Sequence, residues 1–83
     1  EYEMERAELS EKIHLAIDSL PEKCKAIFVD ACIEECSYVE VAQKYDLSVN
    51  TVKVQVSKAY RILREKLTKE QFSIFLLIFL KSE

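Results

Sequence analysis

Glycine is absent from this sequence, and proline occurs once, at Pro21, among 83 residues. Tight hairpin turns rely on these two residues, so their scarcity favours helices over strands. The lack of glycine also excludes phosphate-binding loops and dinucleotide-binding fingerprints, which need it where the backbone approaches a phosphate. A membrane span is not expected, because the most apolar segment, residues 72–80, is far shorter than the roughly 20 residues that cross a bilayer.

Cysteine and histidine are sparse as well. Cys24, Cys32 and Cys36 are odd in number and lie in helical-looking sequence, which favours buried free thiols of a cytoplasmic protein. Cys32 and Cys36, together with His14, offer three soft metal ligands. No second cysteine pair of zinc-site spacing supports them, so we expect no metal and no other cofactor, with His14 at or near the surface.

Nothing in the sequence indicates catalysis. The adjacent Glu34 and Glu35 diverge on a helix and do not form an acid–base pair. The length limits the chain to one small domain. Because the first residue is Glu1 rather than Met and no secretory signal is visible, we expect a piece of a longer protein. A binding domain is therefore expected rather than an enzyme.

The charges are unevenly distributed along the chain, although the formal net charge is only −3. Residues 1–43 carry 11 acidic and 4 basic side chains, whereas residues 44–66 carry 6 basic and 2 acidic ones. Binding to phosphates needs a local basic surface rather than a basic protein. The basic segment is therefore a candidate for nucleic-acid binding, and the acidic half would repel DNA and orient the domain.

Apolar residues recur at helical spacing through the N-terminal half. They predict one helix over about residues 7–19 and a second over about residues 21–34. Ser19 and Glu22 have the spacing of a capping box, and Pro21 suits the first turn of the second helix. The two apolar sets are Leu9, Ile13, Ile17 and Leu20, and Cys24, Ile27, Phe28 and Ala31.

Residues 37–64 have the pattern of a helix-turn-helix. Ser37 and Glu40 form a capping-box pattern ahead of a short helix. Leu47 is apolar and should fill the space between the two helices, and Ser48 should cap the second one. The short helix should bury Val41, Ala42 and Tyr45. The second helix carries the apolar stripe Val49, Val52, Val56, Ala59 and Leu63 and, mostly off it, the basic residues Lys53, Lys58, Arg61, Arg64 and Lys66.

This segment has two interpretations. In the first, the second helix lies in the major groove of DNA. In the second, the segment is a structural helix pair, because amphipathic helices with outward lysines are common and most bind nothing. DNA recognition is favoured because several features occur together. They are two helix caps, a small residue, an apolar residue in the turn and a long basic helix.

The C-terminal segment of residues 72–80 has no polar face, because Ser73 is the exception among eight large apolar residues. Such a segment aggregates if it is left exposed, so it should either fold into the core or dock on a partner or a second copy. The predicted fold is all-α. It consists of a four-helix domain over residues 1–67, with the helix-turn-helix as helices three and four, and an apolar C-terminal helix within residues 68–83.

Two segments of the sequence resemble region 4 of bacterial sigma factors of the extracytoplasmic-function class. They are LPEKCKAIF at residues 20–28 and SYVEVAQKYDLSVNTVKVQVSKAYRILREKL at residues 37–67. In that family, a helix begins after a Leu-Pro pair, and it is followed by a second helix with an E-I-A-type motif and by a turn. The next helix is basic. It begins with the motif S-V-x-T-V-K and ends with the motif R-x-x-L-R-x-x-L. The resemblance covers residues 9–67, and the apolar tail is similar to that of members from the Bacteroidetes group.

The resemblance implies a DNA-binding domain without enzymatic activity. Such domains bind the minus-35 promoter element in double-stranded DNA and dock on the flap of the RNA polymerase beta subunit, and many are sequestered by an anti-sigma factor. They belong to factors that direct polymerase to promoters in transcription initiation, and region 2, which melts the promoter, is not in this sequence. Since helices one to four form a closed domain in the family, docking of residues 72–80 on a partner or a second copy is slightly favoured over core filling.

The resemblance also implies contacts to the DNA backbone. Asn50 and Thr51 match first-turn positions that touch phosphates, which fits the exposed N–H groups at a helix N-terminus. Their cap, Ser48, is grouped with them, and Gln55 and Arg61 are expected to contact the backbone.

A second set matches positions that face the groove and reach base edges, namely Lys53, Val54, Ser57 and Lys58. Lys53 can donate to guanine O6 or N7, and Val54 can contact a thymine methyl group. The sequence departs from the family pattern at three places. Asp46 replaces the usual turn glycine, although Asp tolerates the left-handed conformation better than most residues. Gln55 stands where arginine is common, and Val54 where a small polar residue is common.

Two other functions remain open. One is a helix-turn-helix regulator of the response-regulator type, although the Leu20–Pro21 helix start and the ending from Arg61 to Leu67 favour a sigma factor. The other is a protein-interaction module that uses the acidic helices and the apolar tail and does not bind DNA.

Overall fold

The computed structural model describes the backbone of residues 2–79 and the side chains of residues 6–78. Within that range it contains five α-helices, one π-helical segment and no strand. The predicted all-α fold, with a helix-turn-helix in helices three and four and a further C-terminal helix, is confirmed. No helix in the described part of the chain combines the length and apolar character that crossing a bilayer requires. The elements are α1 (Tyr2–Asp18), α2 (Glu22–Phe28), the π-helical segment (Val29–Ile33), α3 (Tyr38–Tyr45), α4 (Val49–Lys66) and α5 (Lys69–Phe79).

The junction between α1 and α2 differs from the prediction. The Ser19 hydroxyl donates to the carbonyl of Ala16 at 2.6 Å, one turn back, and does not cap α2. Pro21 is the N-cap itself, and its carbonyl accepts from the Lys25 N–H at 2.7 Å. The predicted capping box of Ser19 and Glu22 is wrong, because α1 holds the Ser19 side chain on its own last turn.

The second predicted helix changes its hydrogen-bond pattern before it ends. The Glu34 N–H donates to the carbonyl of Val29 at 2.8 Å, and this bond across five residues is typical of a π-helical turn. Beyond the end of the segment, the Cys36 N–H donates to the carbonyl of Asp30 at 2.9 Å. Glu35 then takes the left-handed conformation, with φ of 62°, and reverses the chain toward α3.

The core consists of two clusters of buried side chains that both include residues of α4. The first cluster joins α1, α2, α4 and α5 around Phe28 and Leu63, both 0% exposed. The second joins α2, α3 and α4 around Ile27 and Val52, which are also fully buried. Because α4 contributes to both clusters, packing holds it along most of its length.

One face of α5 belongs to the core. Phe75 is fully buried and packs against Phe28 and Tyr60, with ring centroids 6.1 and 6.3 Å apart. Phe72 is half-buried and stacks on Phe75 at 6.1 Å. This face of α5 therefore closes the first cluster over α2 and α4.

The opposite face of α5 is exposed. It presents Ile74, Leu77 and Ile78, of which Leu77 is 80% exposed. The side chains of Phe79 and Leu80, which complete the predicted apolar tail, lie outside the described residues. The two expectations for the tail thus apply to different faces, since one face fills the core and the other is open to a partner.

Candidate nucleic-acid interface

The predicted cap of α3 is confirmed. The Glu40 N–H donates to Ser37 Oγ at 3.0 Å, and the Ser37 N–H donates to Glu40 Oε1 at 2.9 Å. These reciprocal bonds satisfy two backbone donors at the start of the helix. They fix where α3 begins and therefore how Val41 and Ala42 enter the second cluster, where both are buried.

The turn between α3 and α4 also follows the prediction. Asp46 adopts the left-handed conformation, with φ of 57° and ψ of 50°, which is the conformation that glycine most often supplies at the end of a helix. The Leu47 N–H donates to the carbonyl of Ala42 at 2.8 Å. The Leu47 side chain is half-buried and packs against the second cluster, so it fills the space between the helices.

Ser48 caps α4 as predicted. The Thr51 N–H donates to Ser48 Oγ at 3.0 Å, and the two hydroxyl oxygens are 2.9 Å apart, with Ser48 as the donor. The Ser48 hydroxyl is therefore engaged on the protein side. Its predicted DNA contact remains a prediction, and this geometry assigns Ser48 first to orienting the N-terminus of α4.

The apolar stripe of α4 faces the protein. Val52, Val56, Ala59 and Leu63 are all buried, and Val49 is half-buried. The side of the helix away from this stripe carries an exposed surface that we call the α4 outer face. The outer face consists of Asn50, Lys53, Val54, Ser57, Arg61 and Arg64.

Most of the predicted DNA-contacting residues lie on the α4 outer face. Three others, Thr51, Gln55 and Lys58, are half-buried and lie beside this face. The backbone carbonyl of Gln55 additionally accepts from the Cys24 thiol of α2 at 3.4 Å. None of these DNA contacts is tested by the geometry alone, and all remain predictions.

The charges of two α4 cations act on the buried thiol of α2. Burial raises the pKa of Cys24, and the positive charges of Lys58 and Arg61 oppose that rise. Because the net shift is upward, the Cys24 thiol stays protonated at neutral pH.

A polar cluster between the π-helical segment and α3 was not predicted from the sequence. The Tyr45 hydroxyl donates to Asp30 Oδ2 at 2.5 Å, and Lys44 Nζ lies 3.0 Å from the same oxygen. The hydrogen bond from Tyr45 is the main cause that lowers the pKa of Asp30, and Lys44 adds to it against the effect of burial. No local pattern links Asp30 with residues of α3, because the contact depends on how the segments pack.

This cluster changes the charge available to DNA. The predicted basic segment of residues 44–66 includes Lys44, which Asp30 neutralises from outside that segment. The remaining basic residues of the segment all lie on α4, and they are Lys53, Lys58, Arg61, Arg64 and Lys66.

The cysteines are free, as expected, although only Cys24 is fully buried. Cys32 and Cys36 are half-buried, and Cys32 Sγ lies 3.4 Å from the Tyr60 hydroxyl. Burial raises the pKa of Cys32, which keeps this thiol protonated at neutral pH. His14 is exposed, and among the described residues no three His, Cys, Asp or Glu side chains converge on a possible metal position.

Comparison with known proteins places most of this architecture in one family. Residues 10–63 match the family described as Sigma-70, region 4. The chain is 34% identical over 61 residues to the RNA polymerase sigma factor SigV of Bacillus subtilis (strain 168). That alignment includes 74% of this chain and 37% of the relative, so the chain spans little more than a third of the relative's length. No solved structure gives a significant match.

Proposed function

Because the chain belongs to the sigma-70 region 4 family, we propose that it is the domain of a sigma factor that binds the minus-35 promoter element. The predicted family resemblance is confirmed. The matched residues 10–63 also include the second half of α1 and all of α2, before the helix-turn-helix, which favours this function over a regulator of the response-regulator type.

The exposed basic surface of α4 carries the proposal. Its outer face presents amide, hydroxyl and cationic groups, while its inner side is embedded in both core clusters. Helix-turn-helix proteins insert into the major groove a helix that is packed against the protein on one side and polar on the other. In this arrangement Asn50 and Thr51 contact phosphates at the helix N-terminus, and Lys53 and Ser57 reach base edges.

The proposal includes protein partners of the cytoplasmic transcription machinery. The exposed α5 residues Ile74, Leu77 and Ile78 form an apolar surface that a monomer would leave in water. Docking on the flap of the RNA polymerase beta subunit or on an anti-sigma factor would cover it, and self-association is a further alternative. This surface also supports partner binding as a second function beside DNA recognition.

Duplex selection followed by direct binding measurements tests the DNA-binding function. The chain is used to enrich a random duplex pool, and the enriched duplex is titrated by fluorescence anisotropy beside an unselected duplex. We expect the enriched duplex to bind at least about tenfold more tightly, a modest ratio for specific recognition. The variant with Lys53→Ala and Arg61→Ala should lose most of this binding.

A charge-matched variant controls for the loss of two positive charges. Lys12→Ala combined with Lys69→Ala removes exposed lysines of α1 and α5, outside the proposed interface. This variant should bind nearly as well as the unmodified chain. Absence of binding at low salt, or equal losses in both double variants, would reject the α4 interface and favour a protein-interaction module.

A further inference from the structure

Among the described residues, α4 exposes one large hydrophobic side chain, that of Val54, which is 56% exposed. It lies on the α4 outer face. Its neighbours one turn away are Asn50 and Ser57, which are exposed and polar, and the half-buried cation Lys58. A single valine among polar and basic groups offers too little apolar area for a protein-binding patch.

The chemistry of the major groove supplies a matching partner for such a side chain. Base pairs present hydrogen-bond donors and acceptors there, and thymine alone adds an apolar methyl group at C5. Valine has no polar atom, so contact with a donor or acceptor would remove water from that group without replacing its hydrogen bond. Contact with a methyl group instead removes apolar surface from water on both sides.

The position of Val54 is well defined by its surroundings. The flanking α4 residues Val52 and Val56 are 0% and 4% exposed, and they fix the helix backbone against the second core cluster. A valine in a helix also has one strongly preferred χ1 rotamer. The two methyl groups of Val54 are therefore presented in nearly one orientation, with little entropy to lose on contact.

We propose that Val54 is a specificity-determining residue that selects thymine in the recognised duplex through its C5 methyl group. The inference rests on the proposed function, since it requires α4 to lie in the major groove. Lys53 and Ser57 then supply hydrogen bonds to neighbouring base edges, while Val54 discriminates by apolar contact. Replacement of the thymine by any base without a C5 methyl group weakens binding.

Uracil substitution isolates the methyl group, because uracil differs from thymine in that group alone. Each thymine of the enriched duplex is replaced in turn by uracil, and affinities are measured for the unmodified chain and for Val54→Ala. We expect one or two positions at which uracil weakens binding roughly three- to fivefold, as the loss of one buried methyl group implies. In Val54→Ala, thymine and uracil should bind equally at those positions.

Two further arms complete the experiment. At a sensitive position, 5-methylcytosine should bind more tightly than cytosine to the unmodified chain and equally to Val54→Ala. The control is Val39→Ala, which shortens a valine of similar exposure, 54%, on α3. Val39→Ala should retain the discrimination between thymine and uracil.

The outcomes separate this inference from the function on which it rests. If the chain binds the enriched duplex but no thymine is sensitive to uracil, or if the sensitivity persists in Val54→Ala, the role of Val54 is overturned and DNA recognition stands. If no duplex is bound at all, both the role of Val54 and the proposed DNA-binding function are rejected.

Discussion

At the scale of single residues, Lys53 and Arg61 show why two exposed cations of one helix are not equivalent. They lie eight positions apart on α4, a separation of about 12 Å along the axis at 1.5 Å per residue. A recognition helix approaches base edges with its N-terminal turns, while its later turns pass the sugar-phosphate backbone. We therefore predict that Lys53 reads bases and that Arg61 binds phosphate.

Alanine substitution should separate these roles. Lys53→Ala should cost about 1–3 kcal/mol on the preferred duplex and relax its specificity, whereas Arg61→Ala should weaken every duplex alike. Anisotropy titrations of both variants with the enriched and an unselected duplex measure this difference. Equal losses by Lys53→Ala on the two duplexes would show that Lys53 binds phosphate instead.

Asp30 is the residue on which stability should depend most clearly on pH. Its carboxylate accepts from Tyr45 and pairs with Lys44, so its pKa is lower in the folded chain than in the unfolded one. A carboxyl group with a lowered folded pKa binds fewer protons when folded. Its stabilisation is therefore present above its unfolded pKa and is lost as the pH falls through the folded value.

Removal of this charge should have a pH-dependent cost. Asp30→Asn should lower the free energy of unfolding by about 1.5–3 kcal/mol at pH 7, as expected for a hydrogen bond to a charged group, and by progressively less below about pH 4. Urea unfolding across this pH range measures the difference. Asp18→Asn is the control, because the ion pair of Asp18 with Lys25 is exposed and should leave the unfolding midpoint nearly unchanged. A cost of Asp30→Asn that does not vary with pH would contradict the role of the carboxylate.

At the scale of elements, α5 is divided between two tasks. Its buried face closes the first core cluster, in which Phe75 contacts rings from α2 and α4. Its exposed face leaves Leu77 and two isoleucines accessible. Full burial of a leucine or isoleucine side chain is worth about 1.5–3 kcal/mol, so a partner that covered this face would gain substantial binding energy.

Substitutions on the two faces of α5 should affect different properties, namely the stability of the fold and the binding of a partner. Phe75→Ala should lower the free energy of unfolding by about 3–5 kcal/mol, because it leaves a cavity in the core. Leu77→Ala should change it by less than about 0.5 kcal/mol and should weaken self-association or partner binding. Urea unfolding and sedimentation velocity measure these quantities. A large stability loss in Leu77→Ala would mean that this face is also packed.

At the scale of the whole molecule, charge is segregated between the α4 outer face and the acidic N-terminal half. Once Lys44 is paired with Asp30, five basic residues of the segment remain on α4. Residues 1–43 carry a large excess of carboxylates. DNA should therefore approach the domain through α4 and be repelled by the carboxylates of the N-terminal half.

The salt dependence of duplex binding measures this segregation. If the basic residues of α4 neutralise about five phosphates, the logarithm of the binding constant should fall with the logarithm of salt concentration with a slope of about −4 to −5. Titration of the enriched duplex at several salt concentrations gives the slope. A slope near zero would show that counterion release does not drive association.

The helices of the motif, both of its caps and the buried stripe of α4 could be predicted from the sequence. These features depend on residues a few positions apart. Ser37 and Glu40 bond within one turn, and Ser48 and Thr51 do the same. The left-handed Asp46 is likewise a local choice of the turn. The family resemblance extended this information to the candidate DNA contacts, which remain predictions.

Contacts between distant segments could not be predicted from the sequence and depend on the tertiary structure. It brought Asp30 to Tyr45 and divided α5 into a buried and an exposed face, although the apolar pattern of residues 72–80 distinguishes no face. It also replaced the predicted capping box of Ser19 with a bond inside α1 and widened the end of the second helix into a π-helical turn. The physical reason is that each of these outcomes is set by packing between helices, whereas periodicity and capping signals report only on neighbouring turns of one helix.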